Sequence, residues 1–268
     1  MFSVFRQTLA GYRTGIFAVS LGLFGISVML VYTLDAFGGI EAFGHLLELV
    51  PESFRAMLKA QGGFATDANG YLSMQYRHPF YLIATSGFVI ALASGAVARE
   101  VERGTALMLL AAPIARWRYL AAKIGALVAG VVVLLAAVWL GTWVGTLITG
   151  MTGEVQMVVL LRALVNLFAL TLAIGGIAVL LSSVSSDGGQ VVSVAAGIAV
   201  VMFVADFLAA IWSPAELVGL LSVFHYYNPL GVSQEGALPW RDLAVLFGVA
   251  FTGFAAALVA FQRRDIAP

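Results

Sequence analysis

The sequence predicts an all-α integral membrane protein with six transmembrane helices, and three observations predict it. Hydrophobic residues make up 61% of the 268 and charged residues only 10%, with a mean hydropathy of +0.99, outside the range of soluble domains. The charges fall between long apolar runs and hardly within them. Those runs are continuous and do not alternate, which fits helices and not barrel strands. Net charge is zero and the isoelectric point about 6.8, so no basic face invites nucleic acid and no polybasic tail invites lipid. With no cysteine, disulfides, thiolate metal sites and cysteine nucleophiles are excluded.

The elements follow in order. Residues 1–13 place Phe2, Phe5, Leu9 and Tyr12 at helical spacing with Gln7 and Gly11 opposite, which predicts an elbow helix lying along the inner membrane surface. Thr14 to Leu34 gives 21 residues without charge, the first span (14–34). It is full length and lacks a small-residue cleavage pattern, so it is expected to remain and not to be removed as a leader. Asp35 to Arg77 is an outer segment of 43 residues in which PESFRAMLKAQGG, with Pro51 at its start and Gly62 and Gly63 at its end, predicts a short helix. Pro79 to Ala98 is the second span (79–98), and the 30-residue run from Ile124 to Gly153 holds the third (120–149). The run from Ala163 to Ser186 holds the fourth (157–181). Gly188 to Ala205 is only 18 residues, but the apolar pattern continues past Asp206 to Ile211, giving the fifth (190–211). Trp212 to Trp240 contains LVGLLSVFHYYNPL, apolar and aromatic but broken by prolines, and is expected to dip into the outer leaflet as a re-entrant segment. Leu243 to Gln262 is the sixth span (242–262). No internal repeat or low-complexity linker divides the chain, so 1–268 reads as one domain.

Lysines and arginines set the orientation. With the N-terminus inside, nine lie on the inner side (Arg6, Arg13, Arg99, Arg103, Arg116, Arg118, Lys123, Arg263, Arg264) and five on the outer (Arg55, Lys59, Arg77, Arg162, Arg241). The positive-inside rule therefore places both termini in the cytoplasm.

Some chemistry is missing. A phosphate-binding loop needs Lys followed by Ser or Thr, and the two lysines, Lys59 and Lys123, are followed by Ala60 and Ile124. His45, His78 and His225 lie far apart in sequence, with no HExxH pattern, so no metal is expected. No serine sits in a GxSxG elbow, and Ser182 to Gln190 reads as an inner turn. Gly141 and Gly145 form a GxxxG, and Gly87, Ala91 and Gly95 repeat small residues every fourth position; either set serves a dimer interface or packing within the bundle. Arg162 and Asp206, near outer span ends, either pair and line a polar path or each reach the outer interface.

The densest charge lies in REVERGTALMLLAAPIARWRYLAAK, Arg99 to Lys123, where seven of the 28 formal charges occupy 25 residues. Twelve uncharged residues separate Arg103 from Arg116, too few to cross a hydrocarbon core that needs about 20. Gly104 interrupts the chain, Thr105 is suited to cap ALMLLAA, and Pro113 stops it, which predicts a short apolar helix flanked by both signs of charge. Topology requires only Lys and Arg, so Glu100 and Glu102 point to docking.

The pattern E-x-E-x-G-T at Glu100 to Thr105, followed by an apolar run, Pro113, Arg116 and Lys123, resembles the span-two to span-three loop of ABC-2 type permeases, the membrane subunits of ABC exporters. YYNP at Tyr226 to Pro229, RRDI at Arg263 to Ile266 and the layout of the whole chain agree. The resemblance implies that the loop is a cytoplasmic coupling helix seated in a cleft of a separate ATPase subunit, which binds ATP and Mg while this chain holds no cofactor. It implies polar contacts from Glu100, Glu102 and Arg103, apolar contact from Leu107, Leu109 and Leu110, and turns shaped by Gly104 and Pro113, with Thr105 and Arg116 in the same set. Two permease copies, or this chain and a paralogue, would pair with two ATPase subunits among membrane lipids. Tyr226, Tyr227, Arg162 and Asp206 are candidates for a substrate path or for structure. The rival expectations are an ATP-independent secondary transporter and a membrane scaffold or immunity protein.

Overall fold

The structure, a computed structural model, describes residues 1–40, 42, 51–52, 65, 67–104 and 115–264. Among these every regular element is helical. Five helices are long and apolar enough to cross a membrane: α1 (Phe2–Ala36), α5 (Arg116–Thr149), α6 (Met157–Val184), α7 (Gly188–Ile211) and α10 (Trp240–Arg263). Between them lie α2 (Ala68–Gln75), α3 (Pro79–Ser94), α4 (Ala98–Glu102), α8 (Glu216–Gly219) and α9 (Pro229–Glu235), with 3-10 turns at Met151–Gly153, Ser213–Ala215 and Val223–Tyr226. The short helix expected after Pro51 falls on residues of which only 51–52 are described.

The helix starts are written in the sequence. The Asp67 carboxylate accepts the Gly70 N–H at 2.6 Å ahead of α2, and that of Asp187 accepts the Gln190 N–H at 2.9 Å ahead of α7. Asn228 does the same for Gly231 at 3.0 Å, with Pro229 in the first turn of α9. Gly150, at φ +77°, ends α5 in a left-handed conformation that costs glycine nothing.

Two expectations are corrected. The predicted elbow is not a separate element, because α1 runs unbroken through residues 2–36. No proline interrupts it, and Gly11 and Gly15 cost only about 1 kcal/mol each in a helix. At ~52 Å, α1 is longer than a hydrocarbon core of about 30 Å is thick. The second span, by contrast, does not reach Ala98 as one helix. α3 holds 16 residues, ~24 Å, and the chain turns through Gly95–Val97 before α4 begins. The backbone groups freed by that break are met from neighbouring helices: Ser182 Oγ on α6 accepts N–H from Val97 at 3.2 Å and Ala98 at 3.1 Å, and Lys123 Nζ on α5 donates to the Gly95 carbonyl at 2.9 Å. Irregular backbone persists where neighbouring protein groups satisfy it in this way.

α6 sits at the centre, with α3, α5, α7 and α10 packed around it. Its inner residues Leu160, Leu167 and Leu170 are wholly buried, and so is Asn166. α1 lies along α5, and there Gly141 and Gly145 serve packing within the chain: a Cβ at Gly141 would stand 2.5 Å from the Phe24 carbonyl oxygen. At the end of α6 opposite Ser182, α2 and α9 pack over it, and a second core of Val31, Leu34, Tyr71, Leu72, Met151, Leu160 and Leu230 closes that end. α1 and α7 leave apolar faces bare, among them Phe17, Leu21 and Met29 on the first and Val200, Val201 and Val204 on the second.

Candidate functional site at the ends of the charged loop

The charged loop enters and leaves the bundle through bonded ends. Glu100, on α4, points to α5: Lys123 Nζ makes an ion pair with its Oε1, and Tyr119 Oη donates to its Oε2 at 2.6 Å. Lys123 is 7% exposed, and an ammonium so enclosed is tolerated because the carboxylate, the Gly95 carbonyl and the face of the Tyr119 ring, 5.0 Å away, all surround it. Glu102 points elsewhere. Its Oε2 accepts the Gly188 N–H at 2.9 Å, so a carboxylate sits on the positive end of α7. Gly188 permits this approach, since a Cβ there would lie 3.1 Å from the Arg99 Cβ and 3.2 Å from Glu102 Oε2.

The returning end is held as well. Arg116 Nη1 donates to the Arg264 carbonyl at 2.5 Å, just beyond α10. Arg264 in turn grips the turn between α6 and α7, donating to the Ser183 and Ser185 carbonyls at 3.1 and 2.7 Å and to Ser186 Oγ at 2.5 Å. The described residues on either side of the loop, Glu100 and Glu102 before it and Arg116 after it, are therefore held by charge-assisted bonds to α5, to the start of α7 and to the residue after α10. Gly104 is exposed at φ +71°, a conformation that disfavours any side chain, in keeping with a turn. Arg103 is exposed beside it. Thr105, Leu107, Leu109, Leu110 and Pro113, the body of the expected coupling helix, lie outside the described residues.

At the opposite end of the bundle, Arg162 and Asp206 do not meet. Arg162 donates to the Gly236 carbonyl at the end of α9, while Asp206, 7% exposed, pairs with Arg77 at 2.6 Å. The same guanidinium donates to the Tyr227 carbonyl at 3.1 Å, and His225 Nδ1 stands 3.9 Å from the other Asp206 oxygen. Burial pushes the Tyr227 phenol well above its ordinary range, so it stays a neutral donor to the Tyr76 carbonyl at 2.8 Å. Tyr226 Oη donates to the Leu220 carbonyl at 3.0 Å. Asn166, buried in α6, binds this segment at two points, accepting the Asn228 N–H at 3.0 Å and donating to the Tyr226 carbonyl at 3.3 Å. The YYNP stretch is thus held by a polar knot of the α2–α3 turn, α6 and α7. Asp206→Asn is expected to cost about 1–3 kcal/mol, because it removes the charge opposite a partly enclosed Arg77. A thermal melt in detergent that matches the parent protein would contradict this.

These features define a multi-pass helical membrane protein in which the ends of several long helices are knit around one charged loop. The chain belongs to the ABC-2 transporter family: the family model described as ABC-2 family transporter protein matches residues 13–266. No curated protein and no solved structure matches it. Members of this family are membrane components of ABC transport systems, not themselves catalytic, and normally work with an ABC ATPase subunit.

Arg77, Asn166, Ser182 and Gly188 were not among the residues the sequence singled out. A lone Asn amid the apolar residues of the fourth span is a signal that sequence reading can use. Ser182 and Gly188 carry no such mark, since their partners lie some 85 residues away in the chain.

Proposed function

We propose that this chain is the permease subunit of an ATP-driven exporter, coupled through residues 103–116 to a separate ATPase subunit that carries ATP and Mg. The observation that supports this most is the anchoring of both loop ends. Glu100, Glu102 and Arg116 link the loop to α5, α7 and α10, so displacement of the loop by a partner pulls on three spans together. A partner biases the equilibrium between two states only through contacts that differ between them. The loop supplies those contacts: Arg103 and the apolar Leu107, Leu109 and Leu110 toward the ATPase, with Gly104, Thr105 and Pro113 shaping the turns. In this reading Glu100 and Glu102 transmit the movement inward. The bare faces of α1 and α7 suit a second permease copy or a paralogue, surrounded by lipid. The cargo enters from the cytoplasm or the inner leaflet, as lipid, drug, peptide or similar.

The proposal predicts that Glu102→Ala, which frees the first N–H of α7, leaves the protein in the membrane and still bound to its ATPase while lowering the stimulation of ATP hydrolysis by about tenfold. Co-purified complexes in nanodiscs, assayed for ATP hydrolysis beside the ATPase alone, measure it. Transport by the isolated chain in liposomes, driven by a proton gradient without ATPase, would contradict it. Asp206, the one buried acid among the described residues, is already neutralised by Arg77, which disfavours such a proton route.

A further inference from the structure

A cavity of about 370 Å³ opens between the first turns of α1, the α3–α4 break and the start of α5. Its α1 wall is Val4, Gln7, Thr8, Gly11 and Tyr12, all before the charge-free run that begins at Thr14. With the N-terminus on the cytoplasmic side, as the proposed function has it, that is the level of the inner headgroups and not of the hydrocarbon core. Three cations line it, Arg99, Arg103 and Lys123, against one carboxylate, Glu100. Glu100 and Lys123 are committed to each other and to Tyr119 and Gly95. Arg99 and Arg103 lie four residues apart, on one face of α4 and its C-cap, and neither guanidinium has an ion pair or hydrogen bond among the described residues. The Tyr12 hydroxyl and the Gln7 amide add donors without a described hydrogen-bond partner. Gly11 leaves its part of the wall open, with nothing within 4 Å of where a Cβ would stand.

We propose that this cavity binds a phosphate-bearing anion at the cytoplasmic face of the membrane. Its unused groups carry two positive charges and several donors, with no carboxylate left over, and guanidinium forks match phosphate oxygens in planar pairs. A phospholipid headgroup of the inner leaflet is the source its level favours, and a soluble phosphate shares the same chemistry. The site adjoins the proposed ATPase contacts, with Arg103 common to both. Arg99 therefore carries the test.

Native mass spectrometry of the full-length purified chain, without any ATPase, is to be titrated with phosphatidylglycerol and with phosphatidylcholine. The parent protein is expected to retain phosphatidylglycerol preferentially. Arg99→Gln, by removing a charge, and Gly11→Leu, by filling the space while raising helix propensity, should each weaken that binding about tenfold. Thermal melts should show both variants folded. If millimolar inorganic phosphate leaves lipid binding unchanged, the lipid is the ligand; if it displaces the lipid, the anion site stands and its ligand is soluble. Equal retention of phosphatidylglycerol by all three proteins, or equal binding of the two lipids by the parent, would overturn the proposal. Because no ATPase is present, either result leaves the coupling reading to its own test.

Discussion

Glu100→Lys is expected to destabilise the protein by about 3–5 kcal/mol and to abolish coupling to an ATPase, the larger of two structural effects predicted. Lys123 is almost fully enclosed and its ammonium has one carboxylate partner. Reversal would place a second cation beside it and free the Tyr119 hydroxyl, and removing one partner of a buried pair leaves the other charge uncompensated. Glu100 itself retains 22% side-chain exposure, so the lower end of that range applies if water reaches the site. The matched swap Glu100→Lys with Lys123→Glu restores opposite signs and should recover part of the loss, as expected for directly coupled residues. Melting curves in detergent for the two single variants and the double variant would show it. A Glu100→Lys protein that melts with the parent would remove the pair from the account of the fold.

Gly253→Val is expected to be nearly as damaging. α6 and α10 cross at Gly176 and Gly253, where a Cβ on Gly253 would lie 2.6 Å from the Gly176 carbonyl carbon and one on Gly176 would lie 2.8 Å from the Ala250 oxygen. The obstacle is backbone on both sides, so no side-chain rotation relieves it. Either α10 moves away or the local helices distort, at about 3 kcal/mol or more. The expected readout is low accumulation in the membrane and an early melt, with Gly248→Val, whose Cβ meets nothing within 4 Å, behaving as the parent. Equal accumulation of both variants would contradict the close crossing.

What the sequence made legible and what it concealed divide along a physical line. Span positions were readable because charge is expelled from hydrocarbon: Arg13, Asp35, Lys123, Glu154, Asp187, Asp242 and Arg263 all stand at or just beyond the ends of charge-free helical runs. The Gly141–Gly145 spacing was readable as a close helix contact, though only the structure shows that its partner is α1 of the same chain. The Gly176–Gly253 crossing was not, because it joins residues 77 apart and leaves no local motif. The break after Ser94 was hidden for a related reason. Nothing between Ser94 and Ala98 forbids a helix, and the groups that stabilise the break, Ser182 and Lys123, come from other spans.

At the candidate site the residue types were legible and their partners were not. Glu100 and Glu102 drew attention because topology has no use for them. Their described bonds run inward, to Lys123, Tyr119 and Gly188, where the pattern alone suggested contacts outward. This shifts their proposed role from touching the ATPase to transmitting its movement. Asp206 likewise stood out as a charge near a span end, while its partner Arg77 looked like an ordinary loop cation, 129 residues away.

The central claim is that force enters through residues 103–116. The chain contains no cysteine, so one introduced thiol reports one position. Leu110→Cys and, as an outer control, Leu217→Cys are to be labelled with a photoactivatable maleimide in membranes holding a co-expressed ABC ATPase subunit. The account predicts a covalent adduct with the ATPase from position 110 and none from position 217. No adduct at 110, with the ATPase present and hydrolysing ATP, would contradict it.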